Sequence, residues 1–215
     1  MFVFGLVVAV AFASMFDRSA VAAGTMTLRL RSTATLPTST VDQNDQNFTV
    51  GGLSGITHLG GASYAAVMDN SNKLVLLDIE FGTDGAIVSS RMRSGLSLTE
   101  TRDFEGIACS GPARNSVYLS EEGTPGIHEY RLSDGVKLNS PAVPAVFQNR
   151  VPNQGFESLT IESLTIESGS VESGAAAIWT GNEQALTVDG PLAQDSGTTV
   201  RLLRYQATLP PTSAR

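Results

Sequence analysis

A chain of 215 residues with 14 Lys and Arg against 21 Asp and Glu has a formal charge of −7. No basic stripe relieves that charge, which excludes a nucleic-acid partner held by phosphate contacts. Only 16% of residues are charged while 21 are Gly, a balance that excludes a coiled coil or a disordered chain and fits one turn-rich β domain behind a removable segment.

The first element is a leader. Residues Phe2 to Phe16 are almost wholly apolar and run into Ser19-Ala20-Val21-Ala22-Ala23, small residues suited to signal peptidase. The run falls short of the about 20 apolar residues of a membrane span. Residues 1–23 therefore read as a signal peptide, with an uncleaved anchor as the alternative. The mature chain is expected to be secreted or periplasmic and off the membrane. No Lys or Arg precedes the apolar run, the one departure from an ordinary leader.

Residues 24–48 read as an N-terminal strand and linker, 49–207 as the main β region and 208–215 as a tail. Short alternating runs, Thr27-Leu28-Arg29-Leu30-Arg31, Lys73 to Ile79 and Val200 to Tyr205, have the period of two that marks strands. Gly-Thr-Asp-Gly at 82–85, Gly-Pro-Ala-Arg-Asn at 111–115 and Ser-Asp-Gly at 133–135 supply the turns between strands. No segment carries a helical stripe. A single cysteine, Cys109, cannot close an internal disulfide and reads as a structural residue where a strand enters a turn.

A motif recurs along this region. Gly52-Leu53-Ser54-Gly55-Ile56-Thr57 precedes a strand ending in Met68-Asp69-Asn70, and Asp103-Phe104-Glu105-Gly106-Ile107-Ala108 precedes one ending in Ser120-Glu121-Glu122-Gly123. Gly155-Phe156-Glu157-Ser158-Leu159-Thr160 precedes one ending in Gly181-Asn182-Glu183. Ser54 to Glu105 is 51 residues and Glu105 to Glu157 is 52. A period of about 40–50 residues with four short strands is the size of one propeller blade, which buries its faces only by stacking on its neighbours. The fold expected is all-β, an incomplete β-propeller of about three to four blades. A sandwich is the weaker alternative, because it gives no reason for a carboxylate to recur once per blade.

The ordered string Gly-Leu-Ser-Gly-Ile, Met-Asp-Asn, Asp-Phe-Glu-Gly-Ile-Ala, Ser-Glu-Glu-Gly, Asn-Gln-Gly-Phe-Glu-Ser-Leu and Thr-Gly-Asn-Glu-Gln-Ala-Leu-Thr-Val-Asp-Gly-Pro resembles phytase-like domains, the "esterase-like activity of phytase" family. The resemblance covers residues 49 to 205. It implies an exported propeller with acidic residues lining a channel and calcium as the ion. Members run longer than this chain, so the resemblance also implies a shortened ring, with self-association through open edges. A second departure is the tandem Glu157-Ser-Leu-Thr-Ile, Glu162-Ser-Leu-Thr-Ile. Five extra residues would reverse strand facing inside a strand, so a loop is expected there.

Calcium takes six to eight oxygen ligands, mostly carboxylates and carbonyls. The candidates are Glu105, Glu157, Glu183, Asp103, Asp69, Glu121 and Glu122, with Asp189 behind them. Zinc fits poorly, with His58, His128 and Cys109 the only soft or imidazole donors. Arg102 and Arg150 flank acidic motifs and are candidates to bind a phosphorylated small-molecule substrate through forked N–H donors, or else surface ion-pair partners. Ser54 lacks the final glycine of a nucleophile elbow and reads as structural, His128 as an exposed strand residue, and Phe104, Phe156 and Trp179 as packing residues. Two functions stay open. One is a calcium-dependent phosphoester hydrolase and the other a noncatalytic, calcium-stabilised ligand- or partner-binding propeller, with a truncated, nonfunctional fragment as the remaining alternative.

Overall fold

The period-two runs form strands throughout the computed structural model, which describes residues 28–111, 114–164, 175–190 and 199–208. Two short strands, β1 (Ser39–Val41) and β2 (Asn47–Thr49), make an antiparallel hairpin. Next comes a four-stranded meander of β3 (Leu53–Gly60), β4 (Ser63–Met68), β5 (Ser71–Phe81) and β6 (Ile87–Arg102). A second meander follows from β7 (Phe104–Cys109), β8 (Ser116–Glu121), β9 (Gly126–Arg131) and β10 (Lys137–Asn139). The third sheet has β11 (Phe156–Leu164), β12 (Ala175–Asn182) and β13 (Leu202–Thr208). Among the described residues the only helical element is a 3-10 turn at Ala145–Asn149. The chain is all-β, in four antiparallel sheets.

The sheets cover one another in chain order, and alternation decides which side chain goes where. On the first meander Ala65, Val67, Leu74 and Leu96 face Phe104, Ile107, Val117, Leu119 and Tyr130 of the second. The opposite face, with Ala66, Val75 and Leu77, is covered by Leu36, Phe48 and Val50 of the N-terminal segment. Tyr118 and Ile127 of the second meander turn the other way, onto Leu159, Ile161, Ile178 and Tyr205 of the third sheet. Because the middle meander is covered on both faces, β8 is buried from end to end. Each large side chain so buried contributes about 1.5–3 kcal/mol.

The opening strands of successive sheets touch through glycine. A Cβ on Gly55 would lie 2.7 Å from the Glu105 carbonyl oxygen, and one on Gly106 would lie 2.6 Å from the Leu159 amide nitrogen. These glycines hold the same place in their motifs, so the repeat carries the backbone approach of β3 to β7 and of β7 to β11. The third motif has Ser158 there, and Ser158 is exposed.

Three readings need correcting or bounding. Residues 28–37 form no strand, because the Leu28–Arg31 alternation finds no partner edge among the described residues. The second Glu-Ser-Leu-Thr-Ile copy does not begin in a loop: β11 runs on into it, with Glu162, Ser163 and Leu164 paired to Ala177, Ala176 and Ala175. The leader and its cleavage site, with residues 209–215 of the expected tail, lie outside the described residues.

Candidate functional site: an acidic cluster at the strand ends

One backbone hydrogen bond repeats in all three motif copies. The amide of Asp69 donates to Gly52 O at 2.7 Å, that of Glu122 to Asp103 O at 2.9 Å, and that of Glu183 to Gly155 O at 2.9 Å. Each bond ties the acidic residue just past the second strand of a sheet to the residue that opens its motif. The acids therefore come to one end of every sheet. Glu105 and Glu157 arrive there by alternation: Phe104 and Phe156 beside them are fully buried, so the next side chain points out of the core.

The result is two triads of carboxylates. Oxygens of Asp69, Asp103 and Glu105 all lie within 4.8 Å of one another, as do those of Glu122, Glu157 and Glu183. Glu105 joins the two electrostatically. Burial and then the charges of Asp69, Glu157, Glu122 and Asp103 push its carboxyl up to about 7. Burial, followed by Glu157, Asp103 and Glu183, pushes Glu122 up to about 7 as well, and burial with Asp69 raises Asp103. Like charges at such range disfavour joint ionisation. No ion pair among the described residues brings Lys or Arg to any of the six.

The donor set fits a hard divalent cation. All six side chains offer carboxylate oxygen, the ligand type calcium takes. Asp103 Oδ1 is buried without a hydrogen-bond partner, an oxygen whose lone pairs are left for a cation.

Other candidates lie elsewhere. Glu121, one residue from Glu122, turns away from the cluster; its Oε2 accepts from Arg102 Nη1 at 2.6 Å and lies 2.9 Å from His128 Nε2. Despite burial, these partners hold its carboxyl below the usual range. Arg102 also bonds Glu100 through Nε at 2.6 Å, so its guanidinium is engaged between two carboxylates. Arg150 stays beside the cluster, its Nε donating to the Glu122 carbonyl at 3.2 Å. Asp189 pairs with Arg201, at 2.7 Å to Nε.

Ser54 Oγ donates to Phe104 O at 3.0 Å, and His58 Nε2 lies 2.9 Å from Gly61 O, so neither is placed as a nucleophile and base. His128 is buried, against the reading of it as exposed. Its strand looks amphipathic in sequence but lies in the sheet covered on both faces. Trp179 is half-buried, its Nε1 donating to Glu162 and Arg204 lying over its ring. Gln154, whose amide oxygen is buried without a partner next to Gly155, is an oxygen donor outside the set expected from the sequence. Its signal was the Asn-Gln-Gly-Phe-Glu motif.

A family model described as "Phytase-like: Esterase-like activity of phytase" matches residues 49–213. No curated protein and no solved structure matches the chain.

Proposed function

The chain belongs to the phytase-like family, and on that premise we propose that it is an exported β-propeller phosphoester hydrolase whose acidic cluster binds calcium. The observation that carries the reading is the gathering of Asp69, Asp103, Glu105, Glu122, Glu157 and Glu183, from three motif copies, with no basic counter-ion among the described residues. The propeller reading is supported by sheets stacked in chain order with their opening strands touching through Gly55 and Gly106. Export rests on the leader.

In this reading the six carboxylates would hold the ion, which when bound neutralises phosphate charge and activates water. The chain's own residues do the rest. Glu105 and Glu122, pushed up to about 7 in the ion-free cluster, give up their protons when a cation binds, so calcium affinity weakens as pH falls below about 7. Arg150, anchored on Glu122 O, sets a guanidinium beside the cluster to fork onto phosphate oxygens. One observation favours a noncatalytic calcium-stabilised binding propeller instead: Arg102 is engaged by Glu100 and Glu121 and leaves Arg150 to meet phosphate alone.

The test is release of phosphate from phytate and p-nitrophenyl phosphate, with calcium or with a chelator. Chelator-sensitive turnover is expected. Calcium binding without turnover by a folded sample would turn the reading to the noncatalytic propeller, and absence of calcium binding would end both.

A further inference from the structure

We propose that Ser140, His128 and Glu121 form a second, metal-independent hydrolytic site, a serine nucleophile with its base and orienting acid, for carboxylic esters. Ser140 Oγ lies 2.8 Å from His128 Nδ1, and His128 Nε2 lies 2.9 Å from Glu121 Oε2. Nucleophile, imidazole and carboxylate stand in one hydrogen-bonded line, the order of groups that activates a serine hydroxyl on unrelated folds, here with the roles of the two ring nitrogens exchanged.

Strand pairing builds this line. Asn139 of β10 is opposite Glu129 of β9, so the next residue along, Ser140, comes opposite His128. Across β8 and β9, Glu121 is opposite Gly126, and His128 reaches Glu121 diagonally over the space that Gly126 leaves. A Cβ on Gly126 would lie 2.6 Å from His128 Nε2 and 3.3 Å from Glu121 Oε2. The absence of that side chain permits the histidine–carboxylate bond.

The tautomer follows from donor arithmetic. Glu121 Oε2 also accepts from Arg102 Nη1 at 2.6 Å, and a carboxylate paired with a guanidinium only accepts, so Nε2 carries the hydrogen and donates to it. In the neutral ring Nδ1 is then an acceptor facing the Ser140 hydroxyl. Phe104 and Tyr130 meet the ring edge-on, at centroid distances of 6.4 and 6.5 Å, and fix its plane. His128 and Glu121 are buried while Ser140 is exposed, so the nucleophile is open to solvent and its base is shielded.

In the reaction Ser140 Oγ bonds to the ester carbonyl carbon as its proton passes to His128 Nδ1. The ester C–O bond breaks and the alcohol leaves with that proton. Water then attacks the acyl-serine, gives its proton to His128, and the acid departs as Ser140 is reprotonated. Glu121 is a positioning residue that keeps the ring in its tautomer.

The experiment treats the full-length protein, in a chelator, with a fluorophosphonate probe, maps the adduct by mass spectrometry, and follows p-nitrophenyl acetate hydrolysis. An adduct on Ser140 is expected, with turnover roughly 100-fold or more slower in Ser140→Ala, a surface change that leaves the fold intact. Gly126→Ala, whose methyl would press on the His128–Glu121 bond while leaving the Ser140 residue itself unchanged, is expected to slow labelling at Ser140 in protein whose far-UV spectrum is unchanged. A folded sample with no adduct on Ser140, or a Ser140→Ala protein with undiminished ester turnover, overturns the proposal and leaves the contact a polar staple holding the segment after β10.

Discussion

Glu121 and Glu122 are neighbours in the chain and opposites in environment. Glu121 meets Arg102 and His128 and is held ionised, whereas Glu122 meets Glu157 and Glu183 and is pushed up to about 7. Both are almost fully buried, so desolvation alone does not separate them. The difference lies in which side of the strand end each takes. Alternation sends one carboxylate to Arg102 at the end of β6 and His128 of β9, and the next toward the acids of the neighbouring sheets. A single residue step thus separates a carboxylate paired with Arg102 and His128 from one set among other carboxylates.

The sharpest break of that comparison is Glu121→Ala, which strands Arg102 and His128. A loss of about 3–5 kcal/mol is expected, read from urea denaturation at pH 7. Next comes Gly106→Ala. Its methyl would press on the Leu159 amide and on Ser120 Oγ, each 2.6 Å from the new Cβ, at a cost of about 1–3 kcal/mol, and calcium affinity is expected to fall with the displacement of β11.

A gentler probe is Glu122→Gln. In metal-free protein it removes a repelled charge, so stability is expected to rise by roughly 1 kcal/mol, while calorimetric calcium affinity falls about tenfold. The opposite signs of the Glu121 and Glu122 substitutions are the content of the comparison.

Proton linkage gives the same contrast without mutation. Glu105 and Glu122 bind protons up to about 7 in the folded chain but release them near 4.5 when unfolded. Between those values the native state holds the extra protons, so metal-free stability falls as pH rises through about 4.5 to 7 and then levels. Glu121, with its lowered value, works the other way, its contribution being lost as pH drops below the ordinary carboxylate range. Thermal melts in a chelator at pH 5 and pH 8 are expected to differ by a few degrees in favour of pH 5, and calcium is expected to abolish the difference.

Much of the cluster was legible because it rides on a repeat. Glu105 and Glu157 follow a phenylalanine that must be buried, and Asp69, Glu122 and Glu183 end equivalent strands, so spacing alone aligned them. Glu121 was not separable from Glu122, because two adjacent acids at a strand end need the register to tell them apart. That register is irregular between Phe104 and Ile107. The reading of His128 failed because Gly-Ile-His-Glu-Tyr-Arg alternates like a half-exposed strand, and nothing in that stretch announces that both faces of its sheet are covered. Ser140 belongs to no motif; only the pairing of β9 with β10 brings it to His128.

The serine at 158 gives the stack a direction. Where Gly55 and Gly106 let one backbone nestle against the next, a hydroxymethyl group stands off any newcomer at the far end. A backbone laid against β11 as β7 lies against β3 would meet that hydroxyl, and its approach would demand a wider spacing or a hydrogen bond to Ser158.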